Sequence, residues 1–182
     1  MGQRLLAKLR QVQCLPVQAA VAAIFAGTVA TGVQVLLWLL SATPVFETLL
    51  RDARLTAAII MGQGVLAGEP VWRGDVLLIA TLIHFGISFI CAAIALPVAK
   101  ELGRVPAMLA GAGYGLAIYA VNLYGFTEVF PWFAVARGWV TIAAHLAFGV
   151  SLVAACRWFD LPQEALKGLS DPRTHRGPGI AG

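Results

Sequence analysis

Two histidines inside long apolar stretches have the most conspicuous chemistry in this sequence. His84 lies in the apolar run of residues 76–98, and His145 lies in the run of residues 133–156. His84 is 8 residues and His145 is 12 residues from the start of its run. At 1.5 Å per helical residue both lie well inside their spans, roughly 12 to 18 Å deep. An ionisable group inside an apolar helix is costly, and imidazole carries protons and binds metals near neutral pH. A structural role, in which each neutral ring hydrogen-bonds another helix, is the alternative.

A second group of polar side chains surrounds the turn between the last two apolar runs, residues 107–126 and 133–156. Asn122 lies about one turn before the end of the first run, and His145 lies about two turns after Arg137. In an antiparallel hairpin these positions fall at overlapping depths, where each polar group can find a partner instead of facing lipid. We therefore predict one polar cavity, lined by His84, Asn122, Tyr124, Glu128, Arg137 and His145.

Several chemistries have no support in the sequence. No cysteine, methionine or carboxylate lies at a useful spacing from either histidine, so no copper or zinc site is predicted. No P-loop, zinc-protease helix or nucleophile with a base is present, which favours a protein without enzymatic activity or catalytic residues. No cofactor is expected on this interpretation. The alternative is a haem b held by His84 and His145 from opposite sides of the iron.

The elements that must position these groups are membrane-spanning helices. Of 182 residues, 59% are hydrophobic and 12% are charged, and the mean hydropathy is +0.82. Crossing about 30 Å of hydrocarbon takes about 20 mostly apolar residues. Four runs are long enough, at residues 17–40, 76–98, 107–126 and 133–156, and none shows the alternation of a barrel strand. The prediction is an all-α integral membrane four-helix bundle, which makes up residues 16–158.

The connection after the first span is neither simply polar nor long enough to cross the membrane twice. Residues 46–68 combine a charged turn, from Glu47 to Arg54, with an apolar block at residues 57–62. This amphipathic composition predicts an extra helix lying in the membrane interface. A re-entrant loop is the alternative, because Gly62, Gly64 and Gly68 would allow the backbone to bend.

The distribution of lysine and arginine predicts the orientation. The N-terminal segment, the loop of residues 99–106 and the C-terminal segment carry more of them than the other two loops do, which places both termini in the cytoplasm. Residues 1–15 have the pattern of a basic amphipathic helix on the membrane surface. Residues 159–182 are rich in Pro and Gly and are expected to be a disordered cytoplasmic tail. Topology accounts for the net charge of +4, and no basic cluster suggests a nucleic-acid partner.

The two halves of the chain share a pattern. A shift of 84 residues aligns residues 26–27 with residues 110–111, Thr43 with Thr127, and Phe46 with Phe130, and each half ends in a span that contains a histidine. Such a pattern is consistent with two helix pairs related by an axis along the membrane normal. Matches among Ala, Gly and Phe also arise by chance, so a repeat and a coincidence both remain open.

Part of the chain resembles a group of small bacterial four-span membrane proteins, some of which carry the label "sodium:proline symporter". The resemblance lies in residues 121–127 and 130–134, in Arg137, Trp139 and His145, and in residues 148–149. It implies a location in the bacterial inner membrane and a shared polar corner. It implies no activity, because symporters of that class resemble inverted-repeat folds with many more spans.

Two classes of function follow from these observations. The first is a non-enzymatic accessory subunit or small solute- or ion-pathway protein that uses the polar corner. The second is a redox or metal-binding membrane protein that uses His84 and His145. The expected partners are the lipid bilayer and, through the small-residue faces of the spans, a second copy or a larger membrane complex.

Overall fold

The computed structural model describes residues 2–69 and 71–158, and the side chains of residues 15–69, 71–99 and 101–158. The helices are α1 (Gly2–Leu40), α2 (Val45–Met61), α3 (Gly74–Glu101), α4 (Arg104–Ala120) and α5 (Trp139–Trp158). Short 3-10 helices cover Gln63–Leu66, Phe126–Glu128 and Pro131–Ala136, and a π-helical turn covers Val121–Gly125. The predicted tail, residues 159–182, lies outside the described residues.

The all-α prediction is confirmed, since these residues contain no strand. Four helical stretches are long and apolar enough to cross a membrane: Leu15–Leu40, Gly74–Ala99, Arg104–Glu128 and Trp139–Trp158. α2 is not among them. The end of α1, all of α2, the start of α3 and residues 121–138 lie on the same side of the bundle, which we call the α2 side.

α5 is the central helix of the bundle, because it packs against α1, α3 and α4. The main core is made largely of small side chains, which let the helices approach closely and gain dispersion contacts. These contacts matter because lipid provides no hydrophobic driving force for helices to associate. Leu96, Leu152 and Cys156 are its largest fully buried side chains. α1 contributes the alanines that face them: Ala19, Ala22, Ala23, Ala26 and Ala30.

The crossing of α4 and α5 depends on three glycines. A Cβ atom on Gly111 would lie 2.7 Å from the carbonyl oxygen of Gly149, and one on Gly115 would lie 2.9 Å from the carbonyl carbon of His145. These distances are shorter than van der Waals contact, so a side chain at either position would force the helices apart. The small-residue face of the third span therefore packs inside the chain, against α5.

α2 is an uninterrupted helix that docks on α3, with Ala57 and Ala58 packed against Val76 and Ala80. Gln34 of α1 donates a hydrogen bond to the carboxylate of Asp52 at 3.3 Å. Burial raises the pKa of the Asp52 carboxyl, and its neighbour Arg51 opposes that shift. The Gln34 amide thus has the interhelical partner that its place in a span requires.

Trp132 connects α2 to the last loop. Its indole Nε1 donates a hydrogen bond to the Leu55 carbonyl at 3.0 Å, and the ring packs against the same cluster as α2. The Trp132 side chain is half-buried against protein. Trp139, by contrast, is 60% exposed.

Two boundaries differ from the sequence prediction. The fourth membrane helix begins at Trp139 and not at residue 133, because Pro131–Ala136 form a 3-10 helix with proline in its first turn. At the other end, α1 is continuous from Gly2 through Pro16, so residues 2–15 extend the first span as helix. The side chains of residues 2–14 lie outside the described part, and their contact with the membrane surface stays a prediction.

The proposed repeat of the two halves also stays a prediction. One observation supports it and one speaks against it. A Cβ on Gly27 of α1 would lie 3.0 Å from the ring of His84 on α3, while Gly115 of α4 faces the backbone of His145 on α5. The two glycine–histidine contacts are similar. However, α1 packs extensively on α5, and α3 has no comparable contact with α4.

The glycine crossing predicts opposite effects for two identical substitutions in α4. Gly115→Ala is expected to lower the free energy of unfolding by about 1–3 kcal/mol, because its Cβ overlaps α5. Gly113→Ala has no atom within 4 Å of its Cβ and is expected to be neutral or to stabilise by up to about 1 kcal/mol. Denaturant unfolding of both variants in detergent micelles measures the difference. Equal stability would contradict the crossing.

Candidate functional site

The predicted polar corner forms where α4 changes into a π-helical turn at Val121–Gly125. A π turn is wider than an α turn, leaves backbone carbonyls without their usual partners, and often occurs at functional sites. The Leu123 carbonyl accepts a hydrogen bond from the Arg137 Nε at 2.7 Å. The Thr127 hydroxyl donates to the Tyr124 carbonyl at 2.8 Å. Side chains from the following loop therefore satisfy the end of α4.

Arg137 makes three contacts with this turn. Besides its bond to Leu123, it donates from Nη2 to the Thr127 hydroxyl at 2.9 Å, and its guanidinium carbon lies 4.3 Å from the centre of the Tyr124 ring. A cation at the carboxyl end of a helix also faces the negative end of the helix dipole. Arg137 therefore ties the last loop to the end of the third span.

Glu128 and Arg137 do not form an ion pair. The two salt bridges among the described residues join Arg51 to Asp52 and Arg73 to Asp75. The guanidinium is occupied by Leu123, Thr127 and Tyr124. Glu128 is exposed to solvent, where a carboxylate gains little from pairing. Glu128 thus does not join the site.

A series of rings leads from this turn into the bundle. The Tyr124 ring meets the Tyr119 ring edge to face, with centres 6.0 Å apart, and Tyr119 meets the His145 ring in the same way at 5.5 Å. Tyr124 is 52% exposed, whereas Tyr119 is only 6% exposed. We call Tyr124, Tyr119 and His145 the aromatic series. It joins the surface on the α2 side to a half-buried histidine.

His145 is oriented by its own helix. Its Nδ1 lies 2.8 Å from the carbonyl oxygen of Thr141. Because a carbonyl can only accept a hydrogen bond, Nδ1 must carry the hydrogen. The Nε2 of the neutral ring then keeps its lone pair and can accept a hydrogen bond, a proton or a metal ion.

His84 lies in the groove between α1 and α3. Its Nε2 would be 3.0 Å from a Cβ on Gly27, and this atom is buried without a hydrogen-bond partner among the described residues. The Gly27 carbonyl lies nearby but out of hydrogen-bond geometry, and it already accepts from the Thr31 hydroxyl at 2.9 Å. Leaving a buried polar group unpaired costs about 1–3 kcal/mol. The unpaired nitrogen is therefore the most unusual polar atom in the bundle.

His84 lies on α3 and His145 lies on α5, two helices that pack against each other. The two rings are close enough for their charges to interact electrostatically. No group of three or more His, Cys, Asp or Glu side chains that could hold a metal lies within the described part of the chain. The pair thus offers two imidazoles and no further ligand of these types.

The structure brings together three of the six predicted residues, Arg137, Tyr124 and His145, which the Tyr119 ring connects. His84 lies on the adjacent helix α3. Asn122 is half-buried in the π turn, and its side chain makes no hydrogen bond with any described residue. Glu128 is outside the group.

The prediction missed Tyr119 as a member of the site. Tyr119 and Tyr124 are five residues apart, and 3.6 residues per turn would place them on different sides of an α-helix. The π turn between them changes this spacing, so the two rings meet. The local sequence contains no signal that predicts a π turn. The cluster of tyrosine and asparagine around the turn can be recognised in the sequence.

Removing the Arg137 guanidinium is expected to loosen the π turn. In Arg137→Gln, the amides of residues 121–127 should exchange hydrogen with solvent faster, because the Leu123 carbonyl and the Thr127 hydroxyl lose their donor. Arg73→Gln is a matched control, since Arg73 is an exposed arginine on the same side whose partner is Asp75. Hydrogen–deuterium exchange of both variants in bilayers tests this. Unchanged protection in Arg137→Gln would contradict the assigned role.

Comparison with protein-family models, with characterised proteins and with solved structures found no match to the chain. The resemblance to small bacterial membrane proteins therefore stays a prediction. The activity of the protein has to be inferred from its own side chains.

Proposed function

We propose that this chain is a non-enzymatic, multi-pass protein of the bacterial inner membrane that takes up protons from the α2 side. In this proposal both termini are cytoplasmic, and the α2 side faces away from the cytoplasm. The aromatic series leads to the His84–His145 pair, which holds the proton. The observation that carries the proposal is the buried, unpaired Nε2 of His84 on α3, with a second histidine on the adjacent helix α5.

The choice of ion follows from the ligands. Sodium, calcium and magnesium prefer several oxygen ligands, and late transition metals usually take three or four nitrogen, sulfur or carboxylate ligands. The pair offers imidazole nitrogens without a third ligand of the usual kinds in the described residues. A proton needs only one lone pair, and imidazole gains and loses it near neutral pH. Histidines inside membrane helices commonly act as proton relays.

The route to the pair is also suited to protons. Tyr124 is exposed, and its ring contacts the ring of Tyr119, which is buried. Hydroxyl groups both donate and accept hydrogen bonds, so they can pass a proton along a chain. Tyr119 in turn packs on the ring of His145. A larger solute would need a wider path than rings in edge-to-face contact provide.

The alternative, haem binding, requires a different arrangement of His84 and His145. A porphyrin would have to lie between the two rings, with each imidazole ligating the iron from its own side. α3 and α5 pack directly on one another, the His84 Nε2 faces Gly27, and the His145 ring is covered by Tyr119. This packing favours a small ligand over a macrocycle. An absorbance band of haem in the purified protein would reverse that preference.

Proton flux into liposomes tests the proposal. Vesicles containing the purified protein and a trapped pH dye are expected to equilibrate an imposed pH gradient faster than empty vesicles. His145→Phe should remove most of the added rate, at least about tenfold, because phenylalanine keeps the ring contact but has no lone pair. Ser151→Ala is the matched control, since Ser151 lies on the same helix and bonds only to α5 carbonyls.

The outcomes separate the two non-enzymatic interpretations. A rate that depends on His145 and His84 but not on Ser151 supports proton uptake. If vesicles with wild-type protein behave like empty vesicles, proton uptake by this chain alone is wrong, and an accessory subunit within a larger membrane complex becomes the better interpretation.

A further inference from the structure

An open groove of about 580 Å3 lies on the α2 side, away from the histidine pair. α2 forms one wall, Gln63–Leu66 and the turn that follows form the second, and Pro131–Ala136 form the third. The groove is lined by charged side chains on one part and by apolar or aromatic side chains on the other. Arg51, Arg54 and Glu47 are charged, whereas Leu55, Leu66 and Trp132 are apolar or aromatic.

Arg54 is fixed in place by backbone carbonyls. Its Nε donates to the Val65 carbonyl at 2.8 Å, its Nη1 donates to the Gly68 carbonyl at 3.1 Å, and its Nη2 donates to the Ala67 carbonyl. A guanidinium has five N–H groups, so two remain for another acceptor. Arg54 has no ion pair with a described acidic residue. Its charge is therefore held in a rigid position and is not neutralised.

A second guanidinium lies one helical turn away on the same wall. Arg51 is exposed and pairs with Asp52, and Nη1 takes no part in that pair. Glu47 is the only carboxylate in the lining, and it is exposed to solvent. Glu47 and Asp52 together balance the charges of the two arginines. Arg54 still has two N–H groups, and Arg51 still has its Nη1, without a partner among the described residues, so the groove can donate hydrogen bonds to an anion from two arginines.

The rest of the lining suits hydrocarbon. Leu55 and Leu66 form the floor next to the Trp132 ring, and Val135 at the edge is 62% exposed. The groove lies next to the ends of α1 and α3, where the apolar spans give way to polar loops. An inorganic anion would leave the apolar lining in contact with water. An amphiphile with an anionic head would cover both parts.

We infer that the groove binds an anionic phospholipid, with its phosphate on Arg51 and Arg54 and part of one acyl chain along Leu55, Leu66 and Val135. The lipid would bridge α2 and the Pro131–Ala136 helix, which the Trp132–Leu55 hydrogen bond already connects. This inference does not depend on the proposed proton uptake, since it uses none of the same side chains.

Lipid binding to the full chain in detergent micelles tests the inference, with bound lipid counted by native mass spectrometry. Phosphatidylglycerol should bind about tenfold more tightly than phosphatidylcholine with the same acyl chains, because its headgroup has no positive charge to oppose the arginines. Arg51→Gln should reduce phosphatidylglycerol binding by about fivefold to tenfold. Arg54→Gln should do the same, and Arg54→Lys should restore part of the binding.

Arg73→Gln controls for total charge, because Arg73 is on the same side but outside the groove and pairs with Asp75. It should leave phosphatidylglycerol binding unchanged. The inference is overturned if Arg73→Gln weakens binding as much as Arg51→Gln does, or if phosphatidylcholine binds equally well. It is also overturned if inorganic phosphate at millimolar concentration displaces the lipid, which would indicate a site for a free anion. Arg51→Gln keeps the test decisive if Arg54 variants fail to fold.

Discussion

The contact between the backbones of α4 and α5 is the constraint on which the rest of the site depends. Within lipid, helices gain little from hiding apolar surface from each other, so close fit must hold them together. A Cβ on Gly149 would lie 2.7 Å from the Gly115 nitrogen. Tyr119 is one turn beyond Gly115 on α4, and His145 is one turn before Gly149 on α5. The same glycine contact that joins the helices therefore sets the 5.5 Å contact between these two rings.

Three arginines complete the structure by donating hydrogen bonds to backbone carbonyls. Arg137 caps the end of α4, and Arg54 holds the turn after α2. On the opposite side, Arg157 donates from Nη1 to the carbonyls of Ala99 and Leu102 at the end of α3. Unpaired backbone carbonyls are costly near lipid, and a planar guanidinium with several donors can satisfy them. Counting lysines and arginines predicts on which side of the membrane each loop lies. It does not reveal that an arginine side chain binds backbone carbonyls.

Much of the fold could be predicted because membrane spans are set by length and composition, which are local properties. The small-residue faces around Gly111 and Gly115 were equally visible. The ring contacts were not, because the π turn at Val121–Gly125 changes the spacing of Tyr119 and Tyr124 in a way that no α-helical pattern describes. The start of α5 was missed because Pro131–Ala136 form a 3-10 helix inside what reads as one apolar run. The bond from Trp132 to Leu55 was missed for another reason, since a contact between residues 77 positions apart cannot be inferred from the sequence around either.

The central claim is that His84 and His145 share one buried site, with the Nδ1 hydrogen of His145 held by Thr141. Solid-state NMR of protein with isotope-labelled histidine in bilayers tests this most directly, since the chain has only 3 histidines. The account predicts a through-space correlation between the His84 and His145 rings, absent in either His→Phe variant, and an Nδ1–H tautomer for His145. Rings without a mutual correlation, or a His84 ring in contact with lipid chains, would contradict it.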